Sequence, residues 1–156
     1  MLFINGQFME SKNKGKVLDP FTGSTVGQYS LASEQDVLAA IEGLKQKNIS
    51  LSPYERADIL AKAADSVRSQ AGEFAKLMTL ESGNCLKDSL KEVARAVDIL
   101  AYCAEEAKRI QGKSMHTQVS AGSGPGMAFT FREPIGIIAA ITPFNRPLNQ
   151  VVVKLA

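Results

Sequence analysis

The run Ile135-Gly136-Ile137-Ile138-Ala139-Ala140-Ile141 puts apolar residues on both faces of any strand it forms. A strand of that kind is at home inside a parallel sheet covered by helices on both sides. Parallel neighbours need crossover connections and further strands, yet only residues 142–156 follow it. The expectation is a strand whose sheet lies outside this sequence. The last residues, Val151-Val152-Val153-Lys154-Leu155-Ala156, are apolar and hold no Gly, Pro or polar tail, whereas chain ends are commonly polar and frayed. A length of 156 residues suits one ordinary domain. These two runs lead us to expect less than a whole one.

Upstream of the apolar strand, residues 1–30 read as short strands and turns. Phe3-Ile4-Asn5-Gly6-Gln7-Phe8 is a hairpin signal, since Asn-Gly accepts the two positive φ angles of a type I′ turn. Asp19-Pro20-Phe21-Thr22-Gly23 marks another turn, and Val26–Tyr29 a further strand. From Ser33 to Gln111 the period is helical. Ser33 with Asp36, and Ser52 with Glu55, have capping-box spacing, and Pro53 suits a first helical position. Val37, Leu38, Ile41 and Leu44 line a first helix, and Ile59, Leu60, Ala63, Ala64 and Val67 a second that stops near Gln70. Phe74, Leu77 and Met78 belong to a third, broken at Ser82-Gly83-Asn84. The fourth is expected from Leu86 to Ile110. Its seam would be Leu90, Val93, Ala94, Val97, Leu100, Ala101 and Ala104, and Gly112 its stop. A polar, Gly-rich connection over 113–126 then leads to an alternating strand, Met127–Glu133, ended by Pro134.

Composition excludes several classes. With 45% hydrophobic and 22% charged residues the chain can build a core, so disorder does not fit. Eighteen basic against 16 acidic residues leave +2, too even for a nucleic-acid or anionic-lipid partner. No apolar run spans a bilayer, and Met1-Leu2-Phe3-Ile4 lacks the phases of a signal peptide. Cys85 and Cys103 cannot make a disulfide framework, which points to a reducing cytoplasm. The single histidine, His116, leaves no multi-histidine metal site, and no metal is expected.

Most candidate motifs have a plainer reading. Gly122-Ser123-Gly124-Pro125-Gly126 lacks phosphate-loop spacing and precedes a strand, so it reads as a surface loop. Neither cysteine has a nearby histidine to lower its pKa. Asn48-Ile49-Ser50 is a chance match to a glycosylation sequon. The segment Ile141-Thr142-Pro143-Phe144-Asn145-Arg146-Pro147-Leu148 is different. It lies at the carboxyl end of the apolar strand and leads into a helix, where open α/β sheets bind ligands. Pro143 and Pro147 stiffen it, so the Asn145 amide would be a preorganised donor to an oxyanion. The helix N-terminus would add its positive dipole end. The competing reading is that Asn145 caps the helix.

At this point the residues amount to a resemblance. Arg132-Glu133-Pro134-Ile135-Gly136-Ile137, then Ile141 to Pro147, resembles a segment (R-x-P-x-G-V, then P-[WF]-N-x-P) of the NAD(P)-dependent aldehyde dehydrogenase superfamily. Phe3-Ile4-Asn5-Gly6, Asp19-Pro20-x-Thr22-Gly23, Ser52-Pro53-x-x-Arg56 and Glu81-Ser82-Gly83 agree in order. The resemblance runs along the whole chain but covers only the first part of a family member. It implies an α/β fold: the N-terminal helical portion and first β-α step of a Rossmann-like cofactor domain, plus small β-hairpins. The implied divisions are 1–112 for hairpins and helices, 113–134 for a connection and an oligomerisation-arm strand, and 135–156 for the first strand and helix.

The resemblance further implies a homodimeric or homotetrameric oxidoreductase. Such an enzyme oxidises a small-molecule aldehyde to a carboxylic acid with NAD or NADP, through a cysteine thiohemiacetal and thioester. Asn145 matches the asparagine whose amide stabilises the oxyanion. Ile141, Thr142, Pro143 and Phe144 match the loop that contacts the nicotinamide half of the cofactor, largely through backbone. The family's nucleophilic cysteine and its glutamate have no match here, since Cys85 and Cys103 align with the N-terminal helices. The 156 residues alone are therefore expected to be inactive.

Arg146 stands where the family is commonly aromatic and faces the substrate tunnel, and Arg95 at a tunnel-lining position on the long helix. Arginine offers paired donors to carboxylate, phosphate or phosphonate, so an anionic aldehyde is expected. The plainer reading sets Arg95 and Lys91 on a solvated face opposite Val93 and Val97. A reading from another class also stays open: a stand-alone helical interaction domain without catalysis.

Overall fold

A computed structural model describes residues 1–47 and 50–156; the Asn48-Ile49-Ser50 match falls largely outside them. The N-terminal hairpin forms where Asn-Gly placed it. Strand β1 (Leu2–Ile4) pairs antiparallel with β2 (Gln7–Met9), and Asn5 and Gly6 take φ of 53° and 88°. Phe3 and Phe8 sit directly opposite, their ring centroids 4.9 Å apart. A second hairpin joins β3 (Lys14–Leu18) to β4 (Thr25–Ser30), with a register shift between Val17 and Leu18. Its turn is held by Asp19, whose Oδ1 accepts from the N–H groups of Phe21 at 2.8 Å and Thr22 at 3.2 Å. Those two donors hold its carboxyl below the usual range.

Helices α1 (Glu34–Lys45) and α2 (Pro53–Ser69) begin at Ser33 and Ser52, each with a complete capping box. Helix α3 (Ala71–Ser82) ends at Gly83, which has φ of 74° and donates its N–H to the Thr79 carbonyl at 3.0 Å. A Cβ on Gly83 would also sit 2.9 Å from Pro20 Cγ, so backbone and space both select glycine.

Helix α4 (Leu86–Ala107) is the spine. Against it pack α2, α3 and the last helix, α5 (Pro147–Leu155). The main cluster joins Ala64 of α2, Ala96, Val97 and Leu100 of α4, and Val152 of α5. A second joins Ala75 and Met78 of α3 to Val93, and a third Ala57, Ala104 and Ala107. Alanines at the α2–α4 crossing keep the side chains between the two axes short.

Three expectations need correction. Helix α4 ends at Ala107 rather than Ile110, and its buried stripe is rotated from the expected seam. Val93, Val97, Leu100 and Ala104 are buried as expected, but Leu90, Ala94 and Ala101 are exposed, and Ser89, Glu92, Ala96 and Ala107 complete the buried stripe. A purely apolar template misses a stripe that carries polar residues satisfied by other helices. The strand expected over Met127–Glu133 is shorter, β6 (Met127–Phe129), and pairs with β5 (Ser114–His116). The Gly-rich stretch is the loop of this hairpin, closed by Thr117 N–H on the Gly126 carbonyl at 3.0 Å. Finally, Ile135–Ile141 forms no strand and is exposed throughout. Strand structure needs a ladder partner, and among the described residues none lies beside this run. Ile137, Ile138 and Ala139 instead line an apolar recess with Phe3, Val37 and Ile41. No described helix is long and apolar enough to cross a membrane.

Candidate functional site

The start of α5 poses a local problem. Its N-cap residue, Arg146, has φ of −142° and no side-chain cap bond, and Pro147 at the first helical position has no N–H. The first free donors are the N–H groups of Leu148 and Asn149. Both are taken by one carboxylate from another helix: Glu92 Oε1 accepts from Leu148 at 3.1 Å and from Asn149 at 3.2 Å. Glu92 is only 2% exposed, and its Oε2 lies 3.9 Å from Arg146 Nη1. The helix is thus capped from α4, and the carboxylate sits on its positive dipole end.

This geometry decides one of the two readings of Asn145. The cap of α5 is not Asn145, which precedes the N-cap residue and is exposed. Its side chain makes no hydrogen bond among the described residues. The dipole that the sequence suggested for an oxyanion is already occupied by Glu92.

Ile141, Thr142, Pro143 and Phe144 lie outside any helix or strand, with Ile141 86% and Phe144 57% exposed. Among the described residues, no backbone–backbone hydrogen bond engages residues 134–145. Their carbonyls, and the N–H groups of all but the two prolines, are open to a ligand. Arg146 is 46% exposed at its side chain, so its guanidinium keeps donors free while it stands beside Glu92.

One turn before Glu92, Asp88 accepts from the Cys85 thiol at 3.2 Å and from Lys91 at 3.4 Å. The Cys85 thiol first, then Lys91, and to a smaller degree Arg146, hold the Asp88 carboxyl below its usual range. Lys91 therefore belongs to a solvated, paired face. Arg95 is exposed, has no ion pair among the described residues, and lies three residues after Glu92, about 4.5 Å further along the helix axis. The structure brings Arg146 to α4 through Glu92 and leaves Arg95 one turn on. Cys85 and Cys103 are free thiols.

Sequence reasoning missed Glu92. A signal was present: with Ser89, Val93 and Ala96 it keeps the three- and four-residue spacing of the buried stripe. A glutamate at a core register asks for a buried donor.

The sequence profile of the aldehyde dehydrogenase family matches residues 8–156. The chain belongs to the aldehyde dehydrogenase family. A 3-sulfolactaldehyde dehydrogenase of Priestia aryabhattai is 42% identical to it over 156 residues, which cover 99% of this chain and 32% of that relative. A lactaldehyde dehydrogenase of Methanococcus aeolicus is 33% identical, covering 99% of this chain and 32% of its own length. The crystal structure of an NADP-dependent glyceraldehyde-3-phosphate dehydrogenase from Bacillus halodurans, complexed with NADP, superimposes with a TM-score of 0.87 at 30% identity. The overlap covers 99% of this chain and 34% of that one. This aldehyde dehydrogenase chain thus spans about a third of the length of the relatives it matches, at their N-terminal part. The α/β fold class expected from the sequence is the fold it shares with them.

Proposed function

We propose that these residues form the N-terminal third of an enzyme that oxidises an anionic aldehyde to a carboxylic acid with NAD or NADP. The observation that carries this reading is the capping of α5 by Glu92, which leaves the Asn145 amide uncommitted in a turn stiffened by two prolines. A fixed amide donor suits the oxyanion that forms when a nucleophile adds to an aldehyde. With the helix dipole already matched by Glu92, Asn145 Nδ2 is the donor this chain contributes. The nucleophile, a cysteine in the resemblance, and the water-activating glutamate come from residues outside this chain. The divisions 1–112, 113–134 and 135–156, a homo-oligomeric assembly and a reducing cytoplasm belong to the same reading.

The loop 141–144 fits the nicotinamide half of a dinucleotide, because it offers unpaired backbone groups beside the exposed apolar surfaces of Ile141 and Phe144. When bound, the nicotinamide supplies the hydride acceptor. The chain's own residues orient its ring, shield one edge from water and hold the oxyanion.

The anionic preference rests on two arginines with free donors, Arg146 and Arg95. The names of two of the three relatives support it, since 3-sulfolactaldehyde and glyceraldehyde 3-phosphate carry strong acids while lactaldehyde is neutral. In the full-length enzyme Asn145→Ala should lower kcat about a hundredfold with little change in KM. Unchanged kcat would remove Asn145 from the chemistry. The 156 residues alone should turn over no aldehyde.

A further inference from the structure

We infer that Glu92 is the positioning residue of the Asn145 turn, a buried carboxylate on α4 that fixes the first turn of α5 and, through it, the Asn145 amide. The inference rests on the oxyanion role proposed for Asn145 and extends it to a residue 53 positions away (145 − 92).

The argument is one of anchorage. On its N-terminal side, Asn145 follows a segment with no backbone–backbone hydrogen bond among the described residues. On its C-terminal side it is three residues from Leu148, whose N–H is held by Glu92 and whose side chain packs beside the α2–α4 and α3–α4 clusters. Neither Arg146 nor Pro147 supplies a local cap. Without the Glu92 acceptor, two donors at the start of α5 would lose their partner, and the turn would lose its polar anchor to α4. A displacement of about 1 Å at a reacting group can cost on the order of a hundredfold in rate. Arg146 completes the arrangement: its guanidinium, 3.9 Å from Oε2, offsets the carboxylate charge that would otherwise oppose an oxyanion nearby.

The test is a double-mutant cycle in the full-length enzyme. Glu92→Ala should lower kcat about tenfold, and Glu92→Gln, which keeps a side-chain oxygen acceptor, should recover most of that loss. If Glu92 acts through Asn145, the double variant E92A/N145A should be no slower than N145A alone. Multiplying effects, near a thousandfold together, would overturn the inference while leaving Asn145 in its role. Should N145A itself leave kcat unchanged, the oxyanion reading falls and takes this inference with it. If E92A does not fold, Glu92→Met removes the acceptor at similar volume and replaces it in the cycle. Hydrogen exchange gives a readout apart from turnover: the amides of Leu148 and Asn149 should exchange faster in the Ala or Met variant and recover protection in E92Q. Unchanged exchange in the Ala or Met variant would also overturn the inference.

Discussion

Ser89 Oγ on α4 lies 3.0 Å from Thr79 Oγ1 on α3, a hydroxyl pair set into the seam between two helices. Ser89 is among the most deeply buried side chains. A buried hydroxyl that loses its partner carries its desolvation cost uncompensated. Ser89→Ala should therefore destabilise the fold by about 1 kcal/mol. Adding Thr79→Val should cost less than the two single changes summed, because the second hydroxyl is no longer stranded. Urea denaturation of the four proteins in this cycle measures both numbers. Strict additivity would show that the two hydroxyls do not interact.

The tip of the first hairpin imposes a second constraint. Asn5 donates its Nδ2 to the Ala39 carbonyl of α1 at 3.4 Å, and a Cβ added at Gly43 would run into the Asn5 carboxamide. At an unhindered helical position Gly→Ala gains about 1 kcal/mol. Here Gly43→Ala should instead lower Tm, since either the carboxamide or the hairpin must move. In an Asn5→Gly background the same change should raise Tm. A stabilising Gly43→Ala in the unaltered chain would refute the contact.

Local devices were legible in the sequence and tertiary ones were not. The capping boxes at Ser33/Asp36 and Ser52/Glu55, the Asn5-Gly6 turn and the Gly83 stop each act within a few residues, so spacing reveals them. The cap on α5 spans 56 residues between Glu92 and Leu148, and no local pattern at Arg146 or Pro147 announces it. The polar part of the α4 stripe escapes a local pattern for the same reason, because the hydrogen-bond partners that permit Ser89 and Glu92 to be buried stand on α3 and α5. Ile135–Ile141 has strand composition, but composition supplies no ladder partner, and the run stays exposed. The two prolines mark a bend leading into a helix, and residues 144–146 bend just before α5 begins. That Asn145 does not cap α5 emerged only from the fold.

The capping boxes set an acid limit on stability. The Asp36 and Glu55 carboxyls are held below their ordinary values, first by the N–H groups of Ser33 and Ser52 and then by their hydroxyls. A lowered folded pKa contributes stability that is fully present above the unfolded value and is lost as pH falls through the folded one. Tm should thus hold from pH 7 to about 5 and fall below about pH 4, where carboxylates ordinarily titrate. The double variant Asp36→Asn/Glu55→Gln, which removes the titrating carboxyls themselves, should start lower and decline less steeply on the acid side. Parallel acid limbs for the two proteins would show that these carboxylates do not set the limit.

Arg146 offers the sharpest test of the anionic substrate. Its guanidinium stands 3.9 Å from Glu92 Oε2, a longer separation than a hydrogen bond, and keeps donors for a second anion. Arg146→Phe removes those donors and also leaves Glu92 less compensated. The loss of compensation acts on any aldehyde, so the informative quantity is a ratio between two substrates. 3-Sulfolactaldehyde and lactaldehyde differ by the sulfonate alone and form a matched pair. A hydrogen bond to a charged group contributes about 1.5–3 kcal/mol, so kcat/KM for 3-sulfolactaldehyde should fall roughly ten- to a hundredfold further than for lactaldehyde. Arg95→Met should shift the ratio in the same direction if Arg95 also faces the substrate. Equal losses on both aldehydes in Arg146→Phe would sink the anionic assignment and leave Arg146 as the counter-charge of Glu92.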